Sequence, residues 1–175
     1  VKVTARGDPL HILLCHLPSR RGGVLAAGGL RERMLQLAAC KVDSIMSSEE
    51  GRAEVIVMGD FNTSPEEPLM LKLTGSPGCS LTAPGAGDNG RGAGLVNLSA
   101  GLAKKGTGSY RYQGSWEMID QVIVSPVMTD STGHWHADPE SFRVVDTDFL
   151  FTDDGTYPGR TPFPTYGGYR YSGGY

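Results

Sequence analysis

Val55-Ile56-Val57-Met58 is a continuous apolar run that stops at Gly59-Asp60-Phe61-Asn62. An unbroken run of this kind suits a central strand covered on both faces, whereas a strand with one wet face alternates. A second run, Leu10-His11-Ile12-Leu13-Leu14-Cys15-His16, is ended by Pro18 and reads as a buried strand with His16 at its carboxyl end. Between them, Leu30, Met34, Ala38, Val42 and Ile45 recur at helical spacing, while Arg31, Glu32, Arg33 and Asp43 fall off that stripe. This pattern predicts an amphipathic helix over 30–46 packed on a sheet, and hence an α/β fold.

The remaining pattern is weaker. Ser64-Pro65-Glu66-Glu67 has the form of a capped helix start, but Pro68 removes the first intrahelical hydrogen bond of that frame, so a short helix starting later is expected. Residues 75–108 read as mostly loop with a short helix near Leu95–Leu102. Ser109 to Gln113 alternates, Gly114-Ser115 suits a type II′ turn, and Trp116 to Val124 is the expected return strand. Phe142–Val145 and Phe149–Phe151 are candidate short strands, and the Gly/Tyr-rich tail from Tyr166 to Tyr175 cannot form a core of its own.

Composition narrows the class of molecule. The 175 residues, 39% apolar and 20% charged, suffice for one domain with a core, and 25 glycines with 11 prolines make loops plentiful. A net charge of −3 without a basic stretch does not indicate a dedicated nucleic-acid binder, although one phosphate can still be held locally. Cys15, Cys40 and Cys79 are odd in number and widely spaced, which indicates neither a zinc ribbon nor a disulfide framework; Cys15 and Cys40 are expected as buried thiols. No apolar run approaches the roughly 20 residues of a membrane span.

Chemistry concentrates at strand ends. Asp60 and Asn62, two residues apart past a buried strand, point to about the same side of the sheet, and open sheets place ligand groups at strand carboxyl ends. An ordinary Asx turn would use the same residue types. His16 closes its own strand in the same way, so two adjacent strands would bring an imidazole, a carboxylate and an amide to one rim. In Met118-Ile119-Asp120-Gln121-Val122-Ile123-Val124, the period of two puts Asp120 on the face of Val122 and Val124, where a carboxylate needs a partner unless the strand lies at an edge facing water.

In their order, His16-Leu17-Pro18-Ser19-Arg20-Arg21-Gly22-Gly23, Gly59-Asp60-Phe61-Asn62 and Gly108-Ser109-Tyr110 through Trp116 to Ser125 resemble the endonuclease/exonuclease/phosphatase superfamily. The resemblance implies a deoxyribonuclease I-like α/β sandwich with a mostly antiparallel sheet, present here only in part. It also implies a phosphoesterase using Mg²⁺, or Mn²⁺ in its place, that hydrolyses a phosphodiester or phosphomonoester by in-line attack of water. Carried over residue by residue, Asp60 orients or deprotonates the water and helps hold metal, and Asn62 positions phosphate beside it. His16 bonds a phosphate oxygen, and Asp120 fixes a second histidine. The family's early metal-binding Asn and Glu precede anything in this chain, and its final Ser-Asp-His motif lies beyond Tyr175. Residues 1–175 are therefore expected to be a partial domain, inactive alone. Rival readings are a non-catalytic binding domain of the same fold and a nuclease acting on DNA or RNA; the mildly acidic charge leans toward a small-molecule or lipid substrate.

Arg20 and Arg21 follow His16 closely enough to reach a phosphate, and Trp116 is a candidate substrate contact, although alternating aromatics in a hairpin also serve packing. Asp146, Asp148, Asp153 and Asp154 lack the rhythm of a calcium loop and are expected to be solvated, and His134-Trp135-His136 has too few neighbouring ligands to chelate a metal.

Overall fold

A computed structural model describes residues 1–5, 8–20, 24–75, 94–130, 132–167 and 169–171. In chain order these form β1 (Lys2–Ala5), β2 (Asp8–His16), α1 (Val24–Ser48), β3 (Glu54–Asp60), α2 (Pro68–Gly75), β4 (Val96–Asn97) and α3 (Ala100–Lys104). There follow β5 (Tyr110–Tyr112), β6 (Ser115–Glu117), β7 (Asp120–Val124), β8 (Phe151–Asp153), β9 (Arg160–Pro162), β10 (Tyr166–Gly167) and β11 (Arg170–Tyr171). The central sheet has the order β1-β2-β3-β7-β4. Only β2 and β3 are parallel, as a helical crossover through α1 requires; the other three neighbouring pairs are antiparallel.

Alternation along the strands divides the core in two. On one face Val55, Val57 and Ile123 meet Leu35, Val42 and Ile45 of α1 and Met70 and Leu73 of α2, with Leu17 and Phe61 closing the cluster near the rim. Phe61 is fully buried; a side chain of that size contributes roughly 1.5–3 kcal/mol through burial, so the loop after β3 is anchored in the core. On the other face Leu10, Val124 and Met128 gather Ile12, Ile56, Val122 and Trp135. The segment after β7 folds back over this face. Ser125 secures its start, the Oγ accepting the Val55 N–H at 3.0 Å, and buried Glu54 accepts the Trp135 N–H at 2.8 Å.

Several local expectations change. Helix α1 begins at Val24 rather than near Leu30, and its buried stripe is rotated: Leu30 is half exposed while Arg31 is buried. Arg31 Nη1 donates to the Pro18 carbonyl at 3.2 Å, a tie between α1 and the segment after β2. Helix α2 starts at Pro68, where proline's missing N–H costs nothing, and the short helix expected near Leu95–Leu102 forms later, as α3.

The hairpin turns at Gln113-Gly114, not Gly114-Ser115. Both residues have positive φ (48° and 82°), as a type I′ turn demands. The return strand is not continuous: β6 stays with β5, and after buried Met118 and Ile119 the chain crosses into the central sheet as β7. Phe142–Val145 forms no strand, and Asp148–Leu150 is a 3-10 turn leading into β8. Cys15 is a free thiol but only partly buried, and Cys40 is not a thiol but disulfide-bonded, a pairing that the spacing of three cysteines does not signal. The expectations for Arg21 to Gly23, for most of the loop over 75–108 and for the end of the tail lie outside the described residues. Among the described residues no helix is long and apolar enough to cross a membrane.

Candidate active site

Strand register assembles the candidate residues. In the β2–β3 ladder His16 is level with Asp60, and in the β3–β7 ladder Asp60 is level with Asp120. Level residues on neighbouring strands share a face, so an imidazole and two carboxylates stand abreast at one rim of the sheet. His16 Nε2 and Asp60 Oδ2 are 3.8 Å apart, with the imidazole largely exposed and the carboxylate about one-third exposed. Asp120 is exposed at the rim and makes no ion pair among the described residues. It therefore escapes the cost of a carboxylate on an apolar face by lying where β7 begins, above Val122 and Val124.

Gly59 makes this register attainable. Its φ is +137°, and a Cβ there would sit 1.9 Å from the Cys15 carbonyl oxygen. Only glycine lets β2 and β3 approach so closely one residue before His16 and Asp60. Beyond Asp60 the chain turns sharply. Asn62 adopts φ +46°, a left-handed conformation that asparagine tolerates better than most residues. Its amide N–H donates to Asp60 Oδ1 at 2.8 Å, and its Nδ2 donates to the Leu17 carbonyl at 2.9 Å. The Asx turn is therefore real, and it also fixes the carboxylate: Oδ1 is held by Asn62 while Oδ2 faces His16.

Residues that the sequence did not single out brace this rim. Gln121 is buried, donating to the Thr63 carbonyl at 2.5 Å and accepting from Asn97 Nδ2 at 2.7 Å, so it joins β7 to the loop after β3 and to β4. Ser109 Oγ accepts the N–H groups of Ile119 and Asp120 at 3.3 and 3.0 Å, which pins the start of β7. A polar Gln inside an apolar strand was the available signal for the first; nothing local marks the second.

Arg20 lies close to the site, and each of its three nitrogens has a partner. Its Nε donates to the Asn62 carbonyl at 3.1 Å, Nη2 donates to Glu67 Oε1 at 2.6 Å, and Nη1 lies 3.1 Å from Glu117 Oε2. Arg21 lies outside the described residues. Trp116, in β6, is partly exposed; its ring meets Phe151 edge-on with centroids 6.1 Å apart, and the Arg111 guanidinium carbon lies 5.9 Å from its centroid. Of the residues set aside, His134 Nδ1 lies 3.5 Å from Asp8, and Asp148 and Asp154 pair with Arg160 and Arg111.

The donor set at the rim fits a hard cation in an open site. Two carboxylates directly opposite on adjacent strands repel unless a positive charge is shared, and the Asn62 amide, anchored through Nδ2, leaves its oxygen as a further donor. Among the described residues no three His, Cys, Asp or Glu side chains form a group able to hold a metal. A divalent cation held by Asp60 and Asn62 would complete its coordination with water and phosphate oxygens.

An α/β sheet carrying this histidine, carboxylate and amide group at strand ends narrows the class of protein sharply. The chain belongs to the endonuclease/exonuclease/phosphatase family, whose model matches residues 1–175. Its fold is accordingly of the deoxyribonuclease I-like kind, and members of the family are commonly hydrolases that use divalent metals. No curated relative matches the sequence.

Proposed function

We propose that this protein is a Mg²⁺-dependent phosphoric ester hydrolase acting on a phosphodiester or phosphomonoester by in-line attack of water. The observation that carries the reading is the shared register of His16, Asp60 and Asp120, with Asn62 locked beside them. Asp60, with one oxygen held by Asn62, presents the other to orient or deprotonate the attacking water. Asn62 offers its side-chain oxygen beside that position. His16, exposed at the end of β2, donates to a phosphoryl oxygen and assists the leaving group. Asp120 would accept from the N–H of the family's second histidine, not His16, and hold that ring in one tautomer. Asp60 and Asn62 would hold Mg²⁺, or Mn²⁺, which when bound neutralises charge developing on the phosphoryl oxygens. Such a transition state needs positioned donors and charge more than a covalent nucleophile.

The mild acidity of the chain favours a small or lipid phosphoester over an extended nucleic acid, because binding a polyanion along its length relies on many phosphate contacts. Arg21 and Trp116 are the side chains proposed for substrate contact outside the reacting centre. A panel of bis(p-nitrophenyl) phosphate, p-nitrophenyl phosphate, a phosphoinositide, sphingomyelin and plasmid DNA, each with Mg²⁺, Mn²⁺ or EDTA, tests the reading on the intact protein. Metal-dependent release of product from a small or lipid ester is expected. Release from DNA alone would make the protein a nuclease, and no turnover of any ester with either ion would make it a non-catalytic binding domain.

A further inference from the structure

We infer that Arg20 is a positioning residue that holds the Asp60–Asn62 turn in its working shape, rather than a ligand of the substrate phosphate. This rests on the phosphoesterase reading above and deepens it. Each of the three guanidinium nitrogens meets a different part of the rim: the Asn62 carbonyl at 3.1 Å, Glu67 at 2.6 Å and Glu117 at 3.1 Å. Glu67 Oε1 in turn accepts the Ser64 N–H at 3.1 Å, so the guanidinium ties both ends of the loop over 62–67 to β6.

The loop needs such a tie. Asn62 sits in the left-handed region, a conformation that persists only where surrounding contacts over-determine it. Its N–H is what holds Asp60 Oδ1, so a shift of the Asn62 peptide turns the Asp60 carboxylate away from His16. Two carboxylates already neutralise Arg20, and each of its three nitrogens has a partner. A phosphate would have to compete with two carboxylates for the same cation, through the two N–H groups that remain. A planar fork with fixed donors suits this three-way clamp, whereas a lysine would supply one point charge.

The test uses two routes to the same loss. Arg20→Ala removes the clamp; Glu67→Gln with Glu117→Gln keeps the arginine but unhooks it. Steady-state hydrolysis of bis(p-nitrophenyl) phosphate with Mg²⁺ is measured for each, together with hydrogen exchange of the Asn62 amide by NMR. If Arg20 positions the turn, both variants lose about 10- to 100-fold in kcat with little change in KM, the scale typical of residues that orient ligating groups. The Asn62 amide loses protection while the core amides of Val57 and Ile123 keep theirs, which separates positioning from a general loss of stability. A raised KM at unchanged kcat in Arg20→Ala, with the double variant as active as the wild type, would make Arg20 a substrate contact and overturn the inference. Unchanged Asn62 exchange in both variants overturns it as well. If the wild-type protein hydrolyses no phosphoester, the functional reading fails, and the Asn62 exchange alone decides the role of Arg20.

Discussion

Asp60 and His16 stand level on neighbouring parallel strands, with Oδ2 and Nε2 3.8 Å apart. Neither side chain reaches the other across a loop; the sheet ladder itself sets their separation. Catalytic geometry at this rim therefore depends on register, and features that fix register are as consequential as the reacting groups. Two of the expectations below follow from this dependence.

Gly59→Ala is expected to damage the site without touching a reacting group. The added methyl would collide with the Cys15 carbonyl, and φ at +137° is strained for alanine. A loss of roughly 1–3 kcal/mol is expected from the backbone conformation, more if the strands part. Urea unfolding measures it, and a variant as stable as the wild type would show that the close approach of β2 and β3 is not required.

Gln121→Leu should destabilise the fold by about 1–3 kcal/mol, since it leaves the Thr63 carbonyl and the Asn97 amide without their buried partner. Activity should fall as well, because β7 carries Asp120 one residue away. Thermal unfolding together with an activity assay checks both. Full activity in a less stable protein would mean that Gln121 supports the core but not the rim.

How much of this was legible in the sequence depends on the range of the interaction. The strands β2 and β3 and the polar residues at their ends are readable, because an apolar run that stops at Asp or His carries its own boundary; β7 is readable as a strand, but not its start, since the break after β6 is set by the crossing into the central sheet. Helix α1 was readable as a helix, but not its buried face: Arg31 turns inward to reach Pro18, a bond that no periodicity announces. The hairpin turn was misplaced by one residue because Gln113 takes a positive φ that its residue type disfavours. Arg20 illustrates the general limit. Nothing in its place after His16 announces its partners Glu67 and Glu117, which lie 47 and 97 residues away in sequence and are brought near only by the assembled fold.

Acid should weaken the region around β8 and β9 through Asp154. This carboxylate accepts the N–H groups of Tyr157 and Thr156 and lies beside Arg111, which together hold its pKa below the ordinary carboxylate value. A depressed folded-state pKa contributes stability above the unfolded value, about 3.9, and that contribution is lost as pH falls through the folded one. Asp154→Asn should therefore lower Tm at neutral pH, with the gap to wild type closing in strong acid. A gap that does not vary with pH would place the effect elsewhere.

The most direct measurement compares the intact wild-type protein with its Asp60→Ala variant on an activated phosphodiester, with Mg²⁺ and after chelation by EDTA. Wild-type turnover should require the ion, and Asp60→Ala should lose at least about 10²- to 10³-fold in kcat, the scale of removing one preorganised charged or polar group. Its thermal stability should stay close to that of the wild type, because the carboxylate lies at the rim, partly exposed. An Asp60→Ala protein hydrolysing the ester at the wild-type rate would contradict the assignment of this rim as the active site.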